Sequence, residues 1–235
     1  MIHTTKNDYS TTVIERMENA LEAYARGEFL LVSDDEGREN EGDLIIAAEF
    51  ADAAAVNFMI TYGKGLVCLA ISPEIAEAKQ LKPMVERNGD HLGTAFTVSI
   101  DATLAHGVST GISAQDRAKT IEVLIGGNYG PADLQAPGHL FPLVARAGGI
   151  LERQGHTEAA VELSRLTGLI PAGVIVEVIK ADGEMARRPD LELMAQEHGI
   201  QYITIKDLIE YVELRNQRAA ASLVSDVREE TLAIG

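Results

Sequence analysis

Tryptophan is absent, aromatic residues make up 5% of the 235-residue chain, and Cys68 is the one cysteine. A single cysteine excludes an intramolecular disulfide framework and agrees with a reducing, cytoplasmic setting. No run of about 18 apolar residues occurs, so no membrane-spanning helix is expected. The start, Met1-Ile2-His3-Thr4-Thr5-Lys6, lacks the basic-then-apolar order of a signal peptide. Basic side chains are scarce as well, with 20 Lys and Arg against 36 Asp and Glu and a formal net charge of -16. Without a cationic excess to displace phosphate counterions, nucleic acid is not an expected partner. Repeats and Ser/Pro-rich linkers are also missing. What remains is an ordinary globular composition, 46% hydrophobic, long enough to bury roughly 70–75% of its unfolded surface without staples. The chain reads as one domain over 1–235, with a core at about 12–213 and a C-terminal tail at about 216–235.

Helical and strand-like segments alternate. Val13, Met17, Leu21 and Tyr24 share one face of a helix over 12–26, with Thr12 and Glu15 as a capping box and Gly27 as its stop. Short apolar runs at 29–32, 44–47, 66–71, 96–100, 139–145 and 174–179 read as strands. Asp52, Ser72-Pro73 and Ser113 are placed to start helices, the first running to Tyr62 and ending at Gly63. Further helices are expected over 157–167, 190–198 and 206–214, with a short strand at Tyr202-Ile203, and the tail either frays or extends the last helix. The pattern predicts a single layered α+β domain with a mixed β-sheet and flanking helices.

Acid is unevenly spread: residues 8–52 hold thirteen acidic and three basic side chains. Six of these carboxylates fall in Asp34-Asp35-Glu36-Gly37-Arg38-Glu39-Asn40-Glu41-Gly42-Asp43, a connection between two apolar strands. Such charges repel unless compensated, so the stretch is either a solvated acidic hairpin or a cation site. Neither glycine has the framing of a calcium-binding EF-hand loop, and a hard cation held by one or two carboxylates with water and substrate suits magnesium better. Gly107-Val108-Ser109-Thr110-Gly111 matches a hydrolase nucleophile elbow, but the strand and helix that an elbow needs are not adjacent. Its hydroxyls and backbone N–H groups ahead of a helix suit phosphate instead. A third cluster joins Pro137-Gly138-His139, Arg153-Gln154-Gly155-His156-Thr157 and Glu177. Arg153 and Thr157 can hold a phosphate, and the His156 imidazole can face a metal or substrate. Glu177 interrupts Val174-Ile175-Val176-Glu177-Val178-Ile179, on the face of Ile175 and Ile179, as either a general base or a salt-bridged strand residue.

At these residues, over about 12–213, the sequence resembles the 3,4-dihydroxy-2-butanone 4-phosphate synthases of riboflavin biosynthesis. The likeness lies in the Asp34–Asp43 loop, the His106–Arg117 segment, Pro137-Gly138-His139 with Phe141-Pro142-Leu143, Gly155-His156-Thr157-Glu158-Ala159, and Glu177. It implies an α+β fold, homodimers with active sites near the subunit interface, and a magnesium requirement without organic cofactor. It makes Glu39 and His156 the metal ligands and puts Arg38, Glu39 and Asp43 against the substrate. Arg153, Gln154, Gly155, His156 and Thr157 fall on the sugar phosphate, Thr110 and Asp116 along the site, and His139 and Glu177 at the catalytic positions. Glu177 also contacts substrate. Gly37, Gln154 and Val176 depart from the family's usual residues, Gln154 inside the phosphate segment. The cysteine-bound zinc domain that follows in some relatives is not expected with Cys68 alone, so a monofunctional form is.

The implied reaction converts D-ribulose 5-phosphate to 3,4-dihydroxy-2-butanone 4-phosphate and formate by enolisation, dehydration, skeletal rearrangement and loss of C4. Enolisation needs a Lewis acid on the ketone and a base nearby. A histidine ligand is unusual for magnesium, so manganese is the expected substitute. Two other classes stand beside this one: a serine esterase using Ser109, and a non-catalytic acidic cation-binding module.

Overall fold

The structure, a computed structural model, describes the backbone over residues 6–233 and side chains over 12–221. Seven strands form one mixed sheet in the order β4-β5-β3-β6-β2-β1-β7. These are β1 (Leu30–Ser33), β2 (Gly42–Ala47), β3 (Cys68–Ile71), β4 (Ile100–Ala102), β5 (Leu134–Val144), β6 (Ala172–Glu177) and β7 (Gln201–Thr204). The pairs β1–β7 and β3–β5 are parallel; β1–β2, β2–β6, β3–β6 and β4–β5 are antiparallel. The helices are α1 (Lys6–Ala25), α2 (Ala53–Phe58), α3 (Pro73–Ala78), α4 (Ala114–Ile125), α5 (His156–Leu166), α6 (Arg188–His198) and α7 (Ile205–Ala233). The α+β fold with a mixed sheet is thus as expected.

Strand alternation feeds two cores, one on each sheet face. Leu30, Val32, Ile45, Cys68 and Ile175 pack with Val13 and Met17 of α1, Ala160 and Leu163 of α5, and Leu208 of α7. On the other face Leu31, Leu44, Ile46, Leu69, Val174 and Val176 meet Val56 of α2, Ile121 of α4 and Leu191 of α6. Each fully buried aliphatic side chain contributes about 1.5–3 kcal/mol of transfer free energy, which is why β2 and β6, apolar on both faces, sit near the middle of the sheet.

Several local expectations are corrected. Helix α1 starts at Lys6, so Thr12 lies inside it rather than capping it. The helix capped by Asp52 does not run unbroken to Gly63: α2 widens into a π-turn over Met59–Gly63, closed by Lys64 at a left-handed φ of 73°. Residues 96–99 meet the sheet through an isolated bridge of Phe96 to Leu143 and the Thr97 N–H bond to the Pro142 carbonyl, while Thr97 bridges to Pro83 outside it, so β4 begins at Ile100. The final helix runs to Ala233, through the alanine-rich stretch after Arg218 that favours helix. The tail beyond Ala233 and the segment Met1–Thr5 lie outside the described residues. No helix among the described residues is long and apolar enough to cross a membrane.

Candidate active site

The β1–β2 connection is organised by a residue the sequence reading gave no role, Asp34. Its Oδ2 accepts from Arg38 Nη1 at 2.9 Å and the Glu39 backbone N–H at 3.0 Å, while Oδ1 accepts from the Glu41 N–H at 2.9 Å. From the start of α6, Arg187 Nη1 donates to the carbonyls of Glu39 and Asn40. The acidic loop therefore carries its own counter-charges and presents Glu39 to the first turn of α5. Gly42 and Asp43 belong to strand β2 rather than to the loop.

His156, 6% exposed, opens α5. Its Nε2 lies 3.1 Å from the carbonyl oxygen of Val32, which can only accept, so Nε2 carries the hydrogen. Nδ1 then faces Glu39 Oε2 at 3.6 Å and Asp43 Oδ1 at 3.8 Å. Burial disfavours the imidazolium, but Asp43, Glu39 and Asp34 outweigh it and push the ring's pKa up to about 9. Hydrogen bonding to His156, with Arg38 beside it, holds Glu39 below the usual carboxylate range despite its burial. Asp43 goes the other way: burial pushes it up to about 7, with His156 pulling down and Glu177, Glu39 and Glu41 adding to the rise.

The orphaned atom is Asp43 Oδ1, buried and without a hydrogen-bond partner among the described residues. Leaving a buried carboxylate oxygen unpaired costs on the order of 1–3 kcal/mol or more, and a cation or its bound water would remove that cost. Asp34, Glu39 and His156 each offer a ligand atom within 4.8 Å of the other two. Both oxygens of Asp34 are spent on the loop, whereas Glu39 gives only Oε2 to Arg38 Nη1, so Glu39 and His156 are the pair best placed to ligate, with Asp43 behind them. The histidine has its second nitrogen fixed by a carbonyl, as metal-bound histidines do. The donor set fits a small divalent cation that keeps much of its water.

Next to this pair is a cationic corner. Gly155 caps α5 without any side-chain hydrogen bond to the first turn. A Cβ on Gly155 would overlap Arg153 Nη1 and press on Arg38 Nη2, so two guanidiniums converge on an uncapped helix N-terminus, a ready anion site. Arg153 is held there by Glu158 Oε2 at 2.5 Å, the Leu92 carbonyl at 3.0 Å and Thr94 Oγ1 at 3.0 Å. Glu177 ends β6 directly across from Asp43, and its Oε2 accepts from the Leu66 N–H at 2.8 Å. The sheet register does place Glu177 on the Ile175 face.

A cavity of about 230 Å³ collects Arg38, Glu39, Asp43, Arg153, His156, Thr157 and Glu177. Its far wall, Asp90, Leu92, Thr94 and Phe96, comes from the irregular segment before β4, where no motif marked it. Cys68, read as plain core, lines the same cavity. Five predicted site residues do not line it; one is Gly155, which caps α5 at its edge. Gln154 is exposed beside it. Thr110, also exposed, lies on the loop ahead of α4. Asp116 accepts from Ser109 N and Oγ and from Gly111 N, so that loop's donors are spent on an internal carboxylate rather than left for phosphate. Ser109's hydroxyl is bound to a carboxylate and not to a histidine, which removes the esterase geometry. His139 lies on β5 and Glu177 ends β6, with β3 between those strands in the sheet, about 10 Å apart at two strand spacings.

Comparison with known proteins agrees with this geometry. The family model described as 3,4-dihydroxy-2-butanone 4-phosphate synthase matches residues 18–211. The chain is 52% identical over 209 residues to the riboflavin biosynthesis protein RibBA of Aquifex aeolicus, covering 89% of this chain and 51% of that protein. It is 52% identical over 197 residues to 3,4-dihydroxy-2-butanone 4-phosphate synthase of Pseudomonas syringae pv. tomato, covering 84% and 53%. The chain thus spans about half the length of the curated relatives it matches. A solved 3,4-dihydroxy-2-butanone 4-phosphate synthase in complex with two magnesium ions superposes with a TM-score of 0.81 at 41% identity, over 84% of this chain and 96% of that one. Acidic loop, histidine-led helix and cationic corner stand on a shared fold, and the chain belongs to the 3,4-dihydroxy-2-butanone 4-phosphate synthase family.

Proposed function

We propose that the chain converts D-ribulose 5-phosphate to 3,4-dihydroxy-2-butanone 4-phosphate and formate, as a cytoplasmic enzyme of riboflavin biosynthesis. The observation that carries this reading is the cavity that sets the Glu39–His156 pair and the orphaned Asp43 oxygen beside two arginines at an uncapped helix N-terminus. A sugar phosphate with a ketone near one end and a phosphate at the other fits such a site. Glu39 and His156 would hold magnesium, with manganese as the substitute that a histidine ligand tolerates. When bound, the cation supplies Lewis acidity at the ketone and its neighbouring hydroxyl.

The chain's own groups do the rest. Arg153, Arg38 and the first N–H groups of α5, with Gly155 and Thr157, fix the phosphate and thereby the carbon skeleton. Asp43, poised near neutrality, and Glu177 sit on the cavity wall where a proton must leave carbon. Glu177 has one oxygen anchored by Leu66 N–H, which keeps the other available as base. In the overall balance the ketone enolises, the C1 hydroxyl leaves as water, the skeleton migrates, and a second water adds at C4, which departs as formate, so the five carbons divide four to one.

His139, Thr110 and Asp116 enter the reading through a homodimer. Around them Leu104 is 78%, Ile112 54% and Leu66 44% exposed, apolar surface of the kind that a second copy covers. In such a pair, the His139 face of one copy closes the cavity of the other. The test is formate release from ribulose 5-phosphate by metal-stripped protein, with and without added magnesium. Release only with the cation is expected. Undiminished release in EDTA would remove the metal from the reading, and no release from the cation-loaded protein would overturn the activity.

A further inference from the structure

Glu177 is held by an irregularity in the sheet rather than by a neighbouring side chain. In the β3–β6 pairing Cys68 lies opposite Ile175, and an isolated bridge sets Lys64 opposite Val178. Four residue steps lead from Lys64 to Cys68 but three from Ile175 to Val178, so the chain entering β3 carries one residue more than its partner. Gly65 and Leu66 share that excess opposite Glu177, a β-bulge, which is a device used beside active sites to re-aim a group. Gly65 N–H makes the ladder bond, to the Glu177 carbonyl at 3.1 Å. The Leu66 N–H is thereby released from the ladder and donates to Glu177 Oε2 at 2.8 Å instead. The π-turn over Met59–Gly63 feeds this bulge. Lys64 closes the turn at a left-handed φ of 73°, uncommon outside glycine, and its N–H returns to the Met59 carbonyl at 3.2 Å. Two further bonds lock the turn beside Glu177, from the Ile179 N–H to the Gly63 carbonyl at 2.8 Å and from Lys64 Nζ to the Ile179 carbonyl at 3.2 Å. Gly65 is what admits so close an approach. A Cβ there would overlap Glu177 Oε2 and come within 2.7 Å of the Glu177 carbonyl oxygen and 2.9 Å of its Cβ.

We propose that Gly65 is a positioning residue for the reaction: lacking a Cβ, it lets the bulge bring the Leu66 N–H onto the Glu177 carboxylate, which fixes one oxygen and leaves the other for substrate. A bulge that served the sheet alone would ask nothing of the Glu177 side chain. Leu66 is exposed, so water can satisfy its N–H. Here the extra N–H is spent on the one carboxylate that β6 contributes to the cavity, and the space that a side chain at position 65 needs is filled by that same residue. An N–H bond to an ionised oxygen is of the stronger kind, and it orders a side chain that otherwise keeps several rotamers. A general base must stand within hydrogen-bond reach of the proton it takes, and a misplacement of about 1 Å can cost ~10²-fold in rate. The π-turn upstream belongs to the same device, since such turns occur frequently at functional sites. This inference rests on the assignment of Glu177 to catalysis in the proposed function.

The experiment reads geometry and kinetics together on the full chain with magnesium present. In Gly65→Ala the new Cβ displaces the carboxylate from the Leu66 N–H. The Leu66 amide proton, assigned by ¹⁵N-leucine labelling and its loss in Leu66→Met, should therefore shift upfield in Gly65→Ala, as it should in Glu177→Ala. The kcat for formate release by Gly65→Ala should fall at least ~10²-fold, with KM within about threefold of the parent. Magnesium affinity by titration calorimetry should not change. In a Glu177→Gln background, adding Gly65→Ala should cost no more than about twofold further, because the glycine acts only through the carboxylate. A glycine that served folding alone would lower the melting temperature and leave kcat as in the parent, and that result would overturn the positioning role. So would a loss in the Glu177→Gln background as large as in the parent. A Glu177→Gln variant as active as the parent would instead overturn the assignment of Glu177 to catalysis, and the positioning role with it. No formate from the parent would overturn the proposed reaction itself, whereas an active parent with an equally active Gly65→Ala overturns the positioning role alone. If Gly65→Ala failed to fold, Leu66→Pro would serve, since proline lacks the N–H and leaves Gly65 in place. It should lower kcat with KM kept, and unchanged kcat there would count against the proposal.

Discussion

Two histidines, two environments. His156 is buried among three carboxylates that outweigh its burial and push it up to about 9, so it must share its pocket with a proton or a cation. His139 is half exposed and answers to a single carboxylate, Asp101. The first environment suits a fixed positive charge, the second a ring that gives and takes protons at a surface. The same side chain is suited to ligation in one region and to proton transfer in the other, and the difference lies in how many acids surround it and how much water reaches it.

The comparison breaks most sharply at the buried cluster. Glu39→Gln keeps shape but removes a charge from the pair, and activity in ~1 mM magnesium should fall at least ~10³-fold, with partial recovery at higher cation concentration. Titration calorimetry of magnesium binding checks it, and an unchanged affinity would move the ligand elsewhere. Next comes Glu177→Gln, which cannot accept a proton. It should lower kcat at least ~10²-fold with little change in KM. Arg153→Ala should act chiefly on KM for ribulose 5-phosphate, and Arg153→Lys should recover it in part, since lysine cannot copy a two-pronged contact. Equal use of ribulose and ribulose 5-phosphate by the parent would place the phosphate corner wrongly.

A smaller effect follows from proton linkage at His156. Its folded pKa of about 9 exceeds the ordinary 6.5, so the folded form holds an extra proton between those values. In metal-free protein that contribution to stability is complete below about pH 6.5 and is lost as pH rises through 9. Asp43, raised from 3.8 to about 7, acts in the same direction at lower pH. Thermal melts in EDTA should therefore fall from pH 6.5 to 9, and added magnesium should restore more at pH 9 than at pH 6.5, because ligation displaces the proton. A melt that rises with pH would contradict the sign. The smallest effect concerns Cys68: burial pushes its thiol up, helped by Glu177 and Asp43. Iodoacetamide at pH 8 should leave it unmodified in the folded protein and alkylate it in urea, as mass spectrometry would show.

Legibility in the sequence followed locality. The caps of Asp52, Ser72 and Ser113 and the face of Glu177 were readable because they depend on spacing within one element. Asp34 was not, because its role is to accept three hydrogen bonds from its own loop, and one carboxylate among six looks like the rest. Asp101 and the wall formed by Asp90, Leu92 and Thr94 reach their partners only through sheet pairing and chain crossing. The loop ahead of α4 misled for a physical reason: its N–H donors do bind an anion, but that anion is the Asp116 carboxylate. His139 was placed in the site by family likeness, and in one chain it stands two strands from Glu177.

The central claim is that this cavity splits a five-carbon sugar phosphate four to one. It is tested most directly with [4-¹³C]ribulose 5-phosphate and the magnesium-loaded protein, followed by ¹³C NMR. The account predicts labelled formate and an unlabelled four-carbon phosphate, in equal amounts and only with the cation present. Label retained in the four-carbon product, or no formate from the cation-loaded protein, would contradict it.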